Sequence, residues 1–507
     1  MFQFLRIATL GVVVSLCISV SALAQISLSA ENMALGGGGT AYLTGYEALF
    51  VNPANLRIQE KSYSLQISLL QSGVYNEYLL PETDFSVRSQ QFRSAFLPYK
   101  SLNSDYELIE ADRSSILRRN YPGSRRVAPF QSMAEMHWFG VKWQREKKSY
   151  ALSLRSRAFS KYELGRGYFS STAVENGNNL YFDRSFRHQY QIMHELSFGY
   201  AESFEFLNGL SPQLSEFIVG IAPKIVLAGS RMDASYDNVY EYHDGDDSWI
   251  RSARYQQNST GSFTENRPFM SQNGAFSFID GSFSELSKPA GIGFGLDIGI
   301  TYMITFGGDL SFLQREAATT RKSLRLSFSI TDLGAIYQFD RPYEISTERI
   351  EEELAELPGV SDIRFSGAPN EHWFFLDELD DSPFEIDTDQ SEETFYSMMP
   401  TSIQAGALFQ VNWIKLMGDV RLPVINHEFA SKAPVVYLGT ELKLLPFLPL
   451  RLGTRIAPHL PGYYTLGIGF ESKFFELNTA LKVKSSRIGP TNEIVGASMA
   501  GIKIYIP

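Results

Sequence analysis

Beyond residue 60 the chain alternates apolar and polar residues with a period of two, in runs of about ten residues. Tyr63, Leu65, Ile67 and Leu69 alternate with Ser64, Gln66 and Ser68. Ile292, Phe294, Leu296, Ile298 and Ile300 face away from Gly291, Gly293, Gly295, Asp297 and Gly299. The same rhythm sets Leu324, Leu326, Phe328 and Ile330 against Arg325, Ser327, Ser329 and Thr331, and Leu466, Ile468 and Phe470 against Thr465, Gly467, Gly469 and Glu471. Leu477, Thr479, Leu481 and Val483 likewise oppose Asn478, Ala480, Lys482 and Lys484. The pattern predicts fourteen strands, near 61–72, 133–144, 149–160, 188–203, 216–231, 289–305, 321–338, 401–411, 413–422, 435–444, 450–457, 463–473, 475–485 and 494–506.

A soluble sandwich and a membrane barrel look alike strand by strand; the connections separate them. Long links fall at 73–132, 161–187, 232–288 and 339–400, while Arg145 to Lys148, the neighbourhood of Asn412, Pro446 to Pro449 and Phe474 make short ones on the other side. An even strand count with long loops on one side and tight turns on the other is the outer-membrane arrangement. The expected fold is all-β: a transmembrane antiparallel β-barrel of about 14 strands spanning 61–507, its apolar set toward lipid and its small or polar set toward the lumen. Alternating glycines on the inner face leave room for something packed inside or let the wall bend. The last strand places Ile502, Ile504 and Ile506 behind Gly501, resembling the C-terminal assembly signal of such barrels, although the chain ends in Pro507 where many end in Phe.

Composition agrees. The 507 residues carry a net charge of −11, which argues against a nucleic-acid partner. The single cysteine, Cys17, excludes a disulfide scaffold and a thiolate metal cluster. Residues 1–24 read as a signal peptide: Arg6 in a short basic region, an apolar run from Ile7 to Val20, and Ala22-Leu23-Ala24 before a mature N-terminus at Gln25. Leu16 stands where a lipobox before Cys17 needs Gly or Ala, so a lipoprotein is not expected. The best later candidate for a spanning helix, Phe217 to Gly229, is interrupted by Pro223 and Lys224 and falls short of roughly twenty apolar residues. A spanning mature chain must then be a closed barrel, because hydrocarbon satisfies no backbone N–H or C=O.

Residues 25–60 lack strand alternation and read as a plug inside the barrel. They carry Gly36-Gly37-Gly38-Gly39, which permits backbone angles closed to other residues, and Asn52-Pro53-Ala54, a turn former. No Lys-Ser/Thr follows the glycines, so a phosphate-cradling loop is excluded. On the glycine stretch from Gly37 to Ala41 and on Asn52, Pro53 and Ala54, the chain resembles the FadL-like superfamily of outer-membrane barrels. Gly293 to Gly299 and Thr331 to Ile336 look like a branch common in Bacteroidota that includes uncharacterised families and PorV-type barrels. The resemblance implies a plugged, porin-like barrel in the bacterial outer membrane that binds or transports a hydrophobic small molecule, taken up near the outer surface and released sideways through the wall. The alternative it leaves open is an accessory or docking barrel of a protein secretion or surface-attachment system, type IX secretion among them, without small-molecule transport.

Charge is distributed unevenly along the chain. Between Glu344 and Phe395 stand 17 acidic residues against Arg349 and Arg364, a docking surface for a protein partner under the second reading. Within it Ile350, Leu354 and Leu357 fall at helical spacing, stopped by Pro358-Gly359. Loop aromatics Trp249, Phe263, Phe269, Trp373, Phe374 and Phe375 offer a greasy external site or interface anchors. Asp244 to Asp247 and Asp387 to Glu393 are acidic enough for calcium, yet neither completes an EF-hand loop, so solvated loops are expected. His194-Glu195 and His427-Glu428 lack the second histidine of a zinc hydrolase, and no Gly-x-Ser-x-Gly elbow occurs. A barrel esterase would need Ser and His facing one another across strands, which sequence cannot reveal; no enzyme activity, metal or cofactor is expected. Lumen charges such as Arg325, Glu441, Lys443, Glu471, Lys482 and Lys484 are expected to pair with each other or with the plug.

Overall fold

The computed structural model describes residues 27–59, 63–76, 106–107, 110–145, 147–177, 179–204, 214–243, 247–261, 288–305, 322–358, 364–365, 386–390, 394–425, 434–456, 462–484, 493–499 and 501–507. The signal-peptide region, His427-Glu428, Asp244 to Asp246, Ser391 to Glu393 and the aromatics Phe263, Phe269, Trp373, Phe374 and Phe375 lie outside them.

Fourteen antiparallel strands close into a barrel. In chain order they are β1 (Leu65–Asn76), β2 (Val127–Arg145), β3 (Lys148–Gly165), β4 (Phe186–Phe204), β5 (Leu214–His243), β6 (Gly291–Thr305), β7 (Lys322–Gln338), β8 (Ser402–Val411), β9 (Ile414–Pro423), β10 (Val435–Leu445), β11 (Leu448–Ile456), β12 (Tyr463–Glu471) and β13 (Phe475–Lys484). The last, β14, is split into Glu493–Met499 and Lys503–Ile506. Each strand pairs with the next, and both halves of β14 pair back with β1. No described helix is long and apolar enough to cross a membrane.

The two faces differ as the alternation predicts. Phe294 is 66% exposed and Leu466 52%, while Thr465 and the intervening Asp297 are buried on the inner side. Aromatic rings collect outside at the short-turn end: Trp143 stacks on Tyr150, Phe470 on Phe475, and Trp413 and Phe474 are exposed. Tyr337 and Tyr396 pair at the long-loop end, so the apolar wall is bounded by rings on both sides, as an interfacial girdle requires.

The alternation does not run unbroken. Leu69 pairs with Phe139 and Gln71 with His137, so Leu70, at φ +55°, and Trp138 face each other unpaired without a change of register. At this irregularity both Leu69 and Leu70 turn outward, and Gln71, Gly73 and Tyr75 come inward. Tyr63, expected on the lipid side, is buried instead, with Lys142 donating to its hydroxyl.

Several strands run past the expected boundaries. β5 extends for 30 residues, and β2, β3, β4 and β5 together rise beyond the barrel into the long connections. There Ser248–Thr260 pairs with β5 and with two further short strands, Tyr343–Thr347 and Ile350–Leu354. The helical spacing of Ile350, Leu354 and Leu357 is thus overridden: Ile350 lies opposite Ala253 and Leu354 opposite Trp249 in an antiparallel ladder. A waiting strand edge supplies more backbone hydrogen bonds than a short isolated helix could sustain. Glu351, Glu352 and Glu353 are exposed on that strand. Trp249 packs against Tyr242 at 5.2 Å rather than standing free. The helix Glu110–Asn120 covers the raised sheet, burying Ile116 with Leu164, Phe169, Phe186, Tyr236 and Tyr255.

Replacing Ile468, mid-wall and 48% exposed, by Arg should destabilise the folded barrel by about 2–4 kcal/mol. Tyr464→Arg, nearer the long-loop rim, should cost only about 0–1 kcal/mol. Reversible denaturant unfolding in lipid vesicles measures both; equal effects would mean that this face does not meet hydrocarbon.

Candidate functional site

Residues 27–59 form no strand and lie inside the barrel, folded as a short helix (Ala30–Ala34) and two 3-10 turns (Gly45–Phe50 and Pro53–Arg57). Asn52 organises the second turn. Its side chain accepts from Ala54 N at 3.1 Å, and Pro53, which has no N–H to satisfy, takes the first helical position. The same side chain donates to Thr40 O and to Thr301 Oγ1 of β6, both at 3.0 Å. Asn55 also donates to Thr40 O, and Ser329 of β7 donates to Val51 O. Asn52 therefore joins the glycine stretch, the turn and the wall.

The glycine stretch binds an anion after all, but one from the protein. Gly39 N and Thr40 N donate to the Asp419 carboxylate of β9 at 3.3 and 3.0 Å. Successive N–H groups in such a bend form a concave anion nest. Gly39 adopts φ +90°, and a Cβ there would stand 2.6 Å from Asn32 Oδ1. Gly36, at φ +90°, presses on the β11 backbone, where a Cβ would meet Thr454 O at 2.6 Å. Gly37 lies against the Tyr437 ring, and Gly38 against the Asp419 side chain.

The inward glycines of the wall now have a physical reason. A Cβ on Gly299 would overlap the Asn52 side chain; on Gly220, the Pro53–Ala54 backbone; on Gly467, Ala34. Gly295 instead makes room for Lys224 and Met399.

Two ionic assemblies flank the segment. In the first, Lys224 donates to Asp297 at 2.8 Å and Asp332 at 2.6 Å, Arg157 contacts Asp332 and Glu195, and Arg155 donates to Glu195 at 2.5 Å. Asp332 sits at φ +57° in a bulge and donates its N–H to Asp297 Oδ1. Glu135 binds His137 and accepts from Ser27 of the segment at 2.7 Å. In the second, toward the short turns, Arg451 bridges Glu441 and Glu471, Lys443 binds Glu471 at 2.8 Å, and Tyr42 of the segment donates to Glu441. Lys482 lies over the rings of Tyr75 and Tyr463, and Arg325 is fully buried. Glu441, Lys443 and Glu471 thus pair with each other or with residues 27–59; Arg155, Arg157, Lys224, Asp332 and Asp419 were not singled out from sequence, although inward strand parity marks Arg155, Arg157, Lys224 and Asp419. Asp332 is turned in only by its bulge. A polar cavity of roughly 40 Å³, lined by Glu31, Arg451, Glu471, Glu476, Lys503 and Tyr505, has room for a few waters.

On the long-loop side of these charges apolar groups lie among inward polar residues such as Gln191, Gln338, Arg421 and Arg455. Met193, Val226, Ala228, Ile336 and Met399 form one buried group, while Leu28, Met33, Tyr75, Met133, Tyr463 and Ala480 form another. Phe159 packs against both.

Ser156 and His194 do face one another across β3 and β4, with Ser156 Oγ 2.7 Å from His194 Nδ1. Trp138 Nε1 donates to the same hydroxyl, both residues are buried, and His194 Nε2 makes no hydrogen bond among the described residues. The pair has no acid to orient the imidazole and reads as mutual satisfaction of polar atoms. Among the described residues no group of three or more His, Asp or Glu could hold a metal ion.

Gly299→Val should prevent residues 40–55 from seating, and Asp419→Ala, which strips the acceptor from Gly39 and Thr40, should destabilise the fold by about 1–3 kcal/mol. Limited proteolysis from the short-turn side checks the first and denaturant unfolding the second; wild-type behaviour in both would mean that the segment is not held by these contacts.

Comparison with solved structures finds similarity to a TodX deltaS2S3 mutant monoaromatic hydrocarbon channel (12% identity over 94% of this chain and 97% of that one, TM-score 0.46). It also finds the Ralstonia pickettii toluene transporter TbuX (11%, 95% and 99%, TM-score 0.44) and the P. putida toluene transporter TodX (12%, 95% and 97%, TM-score 0.42). Likeness at this level carries no conclusion about cargo. No curated protein matches the chain. The model of a family of unknown function, DUF5723, matches residues 74–455. That match covers well over half of the sequence, and the chain belongs to this family.

Proposed function

We propose that the protein sits in the bacterial outer membrane, where it binds or passes a hydrophobic small molecule, with residues 25–60 as plug and gate and residues 1–24 removed as a signal peptide. The observation that carries this reading is the apolar inner surface around Phe159, Met193, Val226, Ile336 and Met399. An aqueous channel presents polar side chains to its lumen. Met193 and Met399 belong to this group, and methionine suits irregular apolar ligands because it is flexible and polarisable. Below that surface the segment and its buried ion pairs oppose the passage of an apolar molecule along the axis, since it would have to cross desolvated charges.

A sideways exit would open beside the segment, where the wall is irregular. The β4–β5 ladder lacks pairs at Phe198 and Gly199, opposite Pro223 and Ala222. Pro223 has no N–H to donate, and the Asp332 bulge lies two strands away. Leu49 and Leu56 of the segment lie against Gly199 on the inside, while Phe198 and Ile221 are exposed on the outside. A lateral opening at this stretch would place cargo beside Leu49 and Leu56 and, on its long-loop side, beside the Lys224 ion pairs.

Native mass spectrometry of the protein extracted in lipid discs should detect a retained apolar compound, lost in a Phe159→Asp/Met193→Asp variant that still folds. Repeatedly empty wild-type protein would overturn the proposal. Asn52→Ala should raise permeability to small solutes in liposome swelling, and unchanged permeability would leave the motif structural only.

A further inference from the structure

The barrel closes where β14 meets β1, and this seam is irregular. Four residue pairs join Ser72–Tyr75 to Gly496–Met499, and four join Leu65–Ser68 to Lys503–Ile506. Between them lie Leu70, at φ +55°, and Gly501, where a Cβ would overlap Leu69 O. On its other side the lower half of β14 has only two register partners in β13, Phe475 and Glu476. The β8–β9 ladder has ten pairs by comparison. Backbone pairing thus ties Lys503–Ile506 to β1 more than to β13.

Lys503 compensates from inside. Its ammonium donates to Glu31 Oε1 at 2.8 Å and Glu47 Oε2 at 2.7 Å, and lies 3.5 Å from Glu476 Oε1. Glu31 and Glu47 belong to the N-terminal segment, separated from Lys503 by more than 450 residues of chain. Both carboxylates are further tied to the wall, Glu31 by Asn478 of β13 and Glu47 by Gln71 of β1. The contacts therefore reach both strands that flank the lower half of β14.

We infer that the N-terminal segment is the clasp of the barrel seam, so that seating residues 31–47 and shutting the wall between the first and last strands are one event. The reason is electrostatic. An ammonium or carboxylate left buried without its partner is strongly unfavourable. Without Glu31 and Glu47, Lys503 keeps only the longer contact to Glu476, and those glutamates find their cation only when β14 has closed. Residues far apart in the chain hold each other.

Hydrogen exchange of the folded protein in lipid discs tests this. Lys503→Gln should speed exchange of the 65–68 and 503–506 amides at least tenfold while leaving β8 and β9 unchanged, and Lys503→Arg should restore most of the protection. If Lys503→Gln does not fold, Glu31→Gln/Glu47→Gln removes the same charges without touching the strand and should give the same local pattern. Seam exchange unchanged in either folded variant overturns the inference, as does an equal increase around the whole barrel.

Discussion

Backbone hydrogen bonding in hydrocarbon is the constraint on which the rest depends. A strand in lipid has no water to satisfy its N–H and C=O groups, so the sheet must close on itself. Closure at fourteen strands encloses a lumen that side chains of the wall do not fill alone. The chain fills it with its own N-terminal segment, whose contacts reach Gln66 in the first strand, Asp419 in the ninth and Lys503 in the last.

Segment and wall are matched by subtraction as much as by attraction. Gly220, Gly299 and Gly467 remove side chains where the segment's backbone or side chains come closest. Asp419, Thr301 and Ser329 supply the hydrogen bonds that its turns leave over. Tight apposition lowers the local dielectric, which strengthens each ion pair and raises the cost of breaking it. Buried ion pairs flank the segment, and apolar groups such as Met193, Val226 and Met399 lie among inward polar residues toward the long loops.

The sequence by itself determined the architecture. Period-2 alternation in Gly291–Thr305 and Tyr463–Glu471 assigns each residue to lipid or lumen because strand geometry sends neighbours to opposite faces, and this signal is local. The lengths of the links then separated the two ends of the barrel, and the absence of alternation before residue 60 marked off the segment. Tertiary structure decided the rest. Asp332 sits in a bulge only because neighbouring strands impose a register, and Ile350–Leu354 becomes a strand only because Ser248–Thr260 offers an edge. The partners of Lys224, Asp419 and Lys503 lie strands or hundreds of residues away, and which charges meet is set by barrel stagger and by the path of the segment. No short-range pattern encodes those distances, because electrostatic pairing depends on position in space and the alternation fixes only direction.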